Sequence, residues 1–209
     1  MIRAGIIGLG KMGISHCAIL GAHPDVQLVS VCDASSLILD VFKKYSAFET
    51  FSDYKKMIDT MSLDALLIAS PTKYHEEMVS YALEKNIHLF CEKPFSLNHK
   101  DGEALSRQAA RQKLVNQVGY HNRFIGTFNE TKKLLAENAI GELYHFSGES
   151  YGPVVLKEKG ATWRSNRKEG GGCLYDYASH TIDLINYLLG KPVRVSGTQL
   201  KSIFSSDVE

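Results

Sequence analysis

The chain has 209 residues, 44% hydrophobic and 22% charged, an ordinary globular balance with room for one large domain or a domain and a half. A formal net charge of +1, with no run of five or six like charges, excludes a bulk electrostatic case for a nucleic-acid or acidic-membrane partner. No apolar run approaches the roughly 20 residues that span a bilayer, the start does not read as a secretory leader, and Cys17, Cys32, Cys91 and Cys173 lack the CxxC spacing of zinc or redox motifs. A reduced, cytoplasmic setting is expected.

Over the first 120 residues, strand-like and helix-like segments alternate. Residues 2–8 form a short apolar run ending in glycine, and residues 11–22 are helix-like with Pro24 just beyond them. Residues 26–33 are valine-rich and end on an acid; 35–45 are helical in character, and 53–60 make an amphipathic turn or two. The apolar run at 65–70 stops at Pro71, as suits a strand buried on both faces. A helix-like 74–85, a strand-like 87–91, a polar helix over 98–112 and a strand-like 114–120 complete the series. This alternation predicts βαβ units in a doubly wound parallel sheet over residues 1–121. From 122 the texture changes. A helix over 127–138, an alternating segment at 143–151, a loop with Trp163, glycines at 170–172, a helix over about 175–189 and a strand-like 193–204 predict a second, α+β domain over 122–209. That domain, with its mixed or antiparallel sheet, looks incomplete.

Gly8-Leu9-Gly10-Lys11-Met12-Gly13 places GxGxxG between the first strand and the first helix. In a Rossmann unit the first glycine makes the turn, the second lets backbone approach a pyrophosphate, and the third lets helix and strand pack closely. The helix N-terminus then offers amide donors and a positive dipole end. Asp33 ends the second strand where a carboxylate meets the adenosine ribose hydroxyls. It disfavours a 2′-phosphate, and Ala34-Ser35-Ser36 supplies no arginine to hold one, so NAD is expected, with NADP possible.

Cys91-Glu92-Lys93-Pro94 falls at the carboxyl end of a predicted parallel strand, where open α/β sheets bind ligands. A lysine there can polarise a carbonyl or stabilise an alkoxide; Glu92 and Lys93 suit an exposed ion pair on a surface turn equally well. Asp176 and His180, four apart on a helix behind three glycines, share one face. An imidazole can accept a hydroxyl proton while a carboxylate orients it, or the aspartate caps the helix and the histidine sits in the core.

GLGKMG at 8–13, ASPTKYH at 69–75, CEKPF at 91–95 and GGGCLYDYASHTIDLINYLLG at 170–190 stand in the order and approximate spacing of the Gfo/Idh/MocA oxidoreductases, and the chain resembles that family over nearly its whole length. The resemblance implies an NAD(P)-binding Rossmann domain followed by a mixed-sheet domain that supplies a substrate wall and an oligomer interface. It implies a catalytic trio: His180 as general base, Lys93 as electrostatic stabiliser, and Asp176 as orienter and hydroxyl ligand. Ser70 and Thr72 (in a loop passing under the cofactor), His75, Glu92, Lys93 and Arg164 are implied cofactor contacts, with the loop residues Gly8, Gly10, Lys11, Met12, Gly13 and with Asp33. Lys93, Arg123, Trp163, Asp176 and His180 are implied substrate contacts. Ser70 to Thr72, Arg123 and Trp163-Arg164 fit local packing or ion pairing as well, and His16 and His121 are weaker candidates. The implied reaction is hydride transfer between NAD(P) and a secondary alcohol of a sugar, inositol or nucleotide-sugar, without a metal. A non-catalytic dinucleotide- and sugar-binding regulator is the alternative, as is NAD-dependent glycosidic or dihydrodiol chemistry. The roughly 87 residues after 122 are too few for the family's second sheet. The chain is therefore expected to be part of a longer, homo-oligomeric enzyme.

Overall fold

The computed structural model describes residues 1–151, 163–202 and 208. The chain divides into two compact units, Met1–Gly119 and Tyr120–Glu209.

The first unit is a six-stranded sheet in the order β3-β2-β1-β4-β5-β6, with every pairing parallel. Its strands are β1 (Ile2–Ile7), β2 (Val26–Cys32), β3 (Glu49–Phe51), β4 (Ala65–Ile68), β5 (His88–Cys91) and β6 (Asn116–Val118). The helices between them are α1 (Lys11–Gly21), α2 (Ser36–Tyr45), α3 (Tyr54–Thr60), α4 (His75–Glu84) and α5 (His99–Arg111). The strand order reverses between β1 and β4, the switch point at which doubly wound sheets open a crevice beyond their carboxyl ends. The sheet differs from the sequence reading in β3, whose three residues Glu49–Phe51 leave too short a run to carry a period-two signal.

Strand alternation sends side chains to two cores. On β4, Leu66 and Ile68 enter one cluster and Leu67 the other; on β1, Ile7 enters the first while Ala4 and Ile6 enter the second. The first cluster takes Met57 and Ile58 from α3, Val79, Ala82 and Leu83 from α4, and Leu105 and Ala109 from α5. The second takes Cys17 from α1 and Leu39 from α2. The near-continuous apolar strands thus follow from burial on both faces. Leu105 and Ala109, four apart, are the buried stripe of the otherwise polar α5, which Asn98 caps by accepting the Lys100 amide at 3.0 Å.

The second unit begins with a short 3-10 turn (His121–Phe124) and helix α6 (Gly126–Ala136). Further on come two more 3-10 turns (Trp163–Ser165 and Arg167–Glu169), one turn of π-helix (Leu174–Ala178) and helix α7 (Ser179–Leu189). The alternating segment 143–151 and the segment expected as a strand, 193–204, carry no ladder among the described residues, and 203–204 lie outside them. Alternation marks a strand only where a neighbouring strand takes its hydrogen bonds. No helix among the described residues is long and apolar enough to cross a membrane.

Leu66 on β4 is 1% exposed, and Leu83 of the same cluster is fully buried. Either one replaced by alanine should lower unfolding free energy by about 2–5 kcal/mol in urea melts. A midpoint unmoved by Leu66→Ala would contradict this packing.

Candidate functional site

β1 ends at Ile7 and the chain turns at Gly8, whose φ of 90° lies in the left-handed region. A Cβ on Gly8 would stand 2.7 Å from the Ala69 carbonyl and the Ser70 amide nitrogen. At Gly13 a Cβ would collide with the Gly8 carbonyl oxygen, so the first turn of α1 packs directly on the end of β1. Gly10 is different: a Cβ there meets nothing within 4 Å. Two of the three glycines are required by packing inside the fold, and the middle one, the N-cap of α1, faces open space. α1 starts just after it without a side-chain acceptor for its first amides, unlike α2, α3 and α5, which Ser35, Asp53 and Asn98 cap. That leaves N–H groups and a positive dipole end for an anion. Lys11 and Met12 are exposed.

Asp33 does more than the sequence suggests. Its Oδ2 accepts the Leu9 N–H at 2.6 Å and its Oδ1 the Ser35 N–H at 2.8 Å, which ties the glycine loop to the end of β2. An ionised carboxylate has about four lone-pair sites, so both oxygens retain capacity for ribose hydroxyls.

Beside this loop lie the segments that follow β4 and β5. Thr72 is buried, and the Ser70 hydroxyl donates to Met78 Sδ at 3.3 Å. The His75 ring is 1% exposed, with Nε2 2.8 Å from the Ser70 carbonyl oxygen and Nδ1 2.9 Å from that of Pro94. Burial pushes the His75 imidazole below its ordinary range, against the pull of those carbonyls, which favour the protonated ring. His75 thus sits between two loops from within, and its neutral ring donates its one N–H to one of the two carbonyls. Glu92 also points inward. Its Oε1 lies 2.8 Å from His16 Nε2 on α1, and its Oε2 accepts the Lys93 N–H at 3.1 Å. A Cβ on Gly119 would come within 2.9 Å of Glu92 Oε2, so that glycine leaves the carboxylate its place. Burial alone raises the Glu92 carboxyl, but His16, the Lys93 amide and the nearby positive charge outweigh it and hold it below the usual carboxylate range. Lys93 is half-buried between them, and its peptide bond to Pro94 is cis.

In the second unit, the glycines at 170–172 fold back on the turn before them. The Gly172 amide donates to the Arg164 carbonyl and the Gly171 amide to that of Asn166, both at 3.0 Å, and a Cβ on Gly171 would collide with the Arg164 carbonyl. This sets Arg164 beside the helix, where its Nε donates to Asp176 Oδ2 at 2.9 Å and its guanidinium lies 4.4 Å over the Trp163 ring. His180, on the next turn, packs edge-on against Tyr120 and His121, with ring centroids 6.0 and 5.1 Å apart. Arg123 grips Asp183 by three hydrogen bonds of 2.5 to 3.1 Å, and this pairing pushes the guanidinium pKa up. Asp183 is 8% exposed and stands three residues after His180 on α7.

A family model described as "Oxidoreductase family, NAD-binding Rossmann fold" (GFO_IDH_MocA) matches residues 2–120, and a GFO/IDH/MocA C-terminal domain model matches 128–209. The chain belongs to the Gfo/Idh/MocA oxidoreductase family. It is 30% identical to glucose-6-phosphate 3-dehydrogenase of Bacillus subtilis, over 90% of this chain and 54% of that protein. Myo-inositol 2-dehydrogenase from Lactobacillus plantarum superposes with a TM-score of 0.81 at 31% identity, covering 90% of this chain and 56% of the other. Scyllo-inositol dehydrogenase from Lactobacillus casei, solved with NAD(H) and scyllo-inositol bound, gives 0.78 at 26% identity, covering 91% and 56%. The chain spans about half the length of the relatives it matches.

Within this Gfo/Idh/MocA chain, the structure gathers Gly8, Gly10, Gly13, Asp33, Ser70, His75, Glu92 and Lys93 at the carboxyl edge of one sheet. It ties Arg164 to Asp176, and it gives Glu92, His75 and Arg123 protein partners. Of these partners, Asp183 was not singled out in the sequence, and His16 stood only among the weaker candidates. The available signal was a polar residue on a buried helix face, since His16 follows Gly13 by one turn and neighbours buried Cys17.

Gly10→Ala should shift unfolding free energy by no more than about 1 kcal/mol, whereas Gly13→Ala should cost about 3 kcal/mol or more. Equal urea midpoints would contradict the division of roles. The stabilisation from Glu92, whose folded pKa is depressed, is complete above its ordinary value of 4.5 and lost as pH falls through the lower folded value. Glu92→Gln should therefore flatten the acid side of the stability curve; an unchanged slope would argue against the His16–Glu92 pair.

Proposed function

We propose that this chain forms the dinucleotide-binding and catalytic part of an NAD-dependent dehydrogenase acting on a secondary alcohol of a sugar or inositol-like polyol. The observation that carries it is the glycine loop: Gly8 and Gly13 answer to the fold's packing, and Gly10 faces open space at a helix N-terminus that no side chain caps. Asp33 beside that loop, with Ala34, Ser35 and Ser36 after it, favours ribose hydroxyls over a 2′-phosphate. Ser70 and Thr72 on the loop behind Gly8 fit the role of a floor beneath the cofactor.

Bound nicotinamide supplies the hydride acceptor or donor. His180 accepts the hydroxyl proton on a ring nitrogen, the general-base role for which imidazole is most often used. Lys93 places an ammonium charge against the oxygen, which gains negative charge as its proton passes to His180 and gives it up in forming the carbonyl as hydride leaves the carbon. Asp176, anchored by Arg164, accepts a hydrogen bond from a neighbouring substrate hydroxyl and holds the sugar for His180. Arg123 enters this scheme as the partner of Asp183.

With inositols and hexose phosphates as candidate alcohols, nicotinamide reduction followed by absorbance should fall by about 10²- to 10⁴-fold in Lys93→Met and in His180→Leu. Turnover that survives both substitutions would refute the assigned roles.

A further inference from the structure

Two histidines, His16 half-buried and His75 buried, bracket the turn that carries Lys93. On one side Glu92 is held through its Oε1 by His16 Nε2 at 2.8 Å, while its Oε2 accepts the backbone N–H of Lys93 itself. On the other, the carbonyl of Pro94 lies 2.9 Å from His75 Nδ1. The residues on both sides of Lys93 are therefore fixed by imidazoles from different elements. His16 rides on α1, the helix that begins at the glycine loop. His75 opens α4 and also contacts the Ser70 carbonyl at 2.8 Å, next to the backbone that Gly8 packs against. The sites these rings occupy are closed: the His16 and Glu92 side chains are 17% and 12% exposed, and His75 is 1% exposed. His16 is itself braced edge-on by Phe90 on β5 at 5.2 Å.

We infer that His16 and His75 are the positioning residues of Lys93, holding its turn from both flanks and fixing it to the two segments that frame the glycine loop. Neither histidine touches the reacting atoms in this scheme. A main chain held at 92 and 94 leaves Lys93 only its side-chain torsions to vary, which is what a charge that must meet a developing oxyanion requires. The inference rests on the role assigned to Lys93 above for its functional meaning, though not for its geometry.

Acetylation of lysine amines by acetic anhydride, read residue by residue by peptide mass spectrometry on the 209-residue chain, tests it without turnover. Exposed Lys43 on α2 serves as the internal reference. In His16→Leu and His75→Leu, which remove the donor, the Lys93 to Lys43 labelling ratio should rise by about threefold to tenfold, the size expected of one lost charge-assisted or buried hydrogen bond. His16→Gln and His75→Gln keep an N–H donor and should stay closer to wild type, a rescue that loss of packing alone would not give. Urea melts qualify each variant as folded, and the His16 pair decides the matter where a His75 variant does not fold. An unchanged ratio in folded His16→Leu, or a rise equal in the Leu and Gln variants, overturns the inference. The two ideas fail separately. Turnover retained by Lys93→Met removes the role of Lys93 and leaves the labelling result standing, whereas unchanged labelling beside an inactive Lys93→Met removes the positioning alone.

Discussion

The contact on which the rest of the first unit depends is the one between Gly13 and the carbonyl of Gly8. It leaves no room for a single methyl group, and it seats the first turn of α1 directly on the end of β1. Three consequences follow from that seating. The loop between the two glycines is forced outward, with Gly10 at its open side. The Leu9 amide falls where Asp33 can accept it. One turn further along the helix, His16 is carried to the carboxylate of Glu92, across the sheet at the end of β5.

From there the polar contacts close on themselves. Glu92 binds the amide of Lys93, Pro94 meets His75, His75 meets Ser70, and the backbone at Ala69 and Ser70 packs against Gly8 where the circuit began. Few of these links are individually strong, since a net hydrogen bond contributes only about 0.5–1.5 kcal/mol. Their value lies in mutual constraint. Three loops that leave β1, β4 and β5 at the carboxyl edge of the sheet are held as one surface, the preorganisation that a bound dinucleotide needs. The Arg164–Asp176 and Arg123–Asp183 pairs play a similar part within the second unit, each fixing a carboxylate on the helical segment that carries His180.

How much of this was legible in the sequence follows from range. The parallel sheet, its helices and the glycine loop are written in local terms: apolar runs of strand length, helical stretches between them, and glycines at a spacing with a steric cause. Asp33 was legible as the acid that ends β2, though its grip on Leu9 was not. The long-range polar pairs left no periodic trace. Glu92 and His75, expected beside the cofactor, also meet His16 and the Pro94 carbonyl, and Arg123, expected at the substrate, also pairs with Asp183. Such partners are 76, 19 and 60 residues apart in the chain, and nothing in one window of sequence joins them. In the second unit the strand-like reading of 193–204 rests on the segment alone, whereas a ladder is a property of two.

The central claim is that the glycine loop and Asp33 form a dinucleotide site selective for NAD. Calorimetric titration of NAD and NADP into the chain, in parallel with Asp33→Ala, tests it most directly. NAD should bind more tightly than NADP, and Asp33→Ala should weaken NAD by about tenfold or more through the loss of the ribose contact and of the Leu9 anchor. Folded protein that binds neither nucleotide, or that binds NAD equally well without the Asp33 carboxylate, would contradict the account.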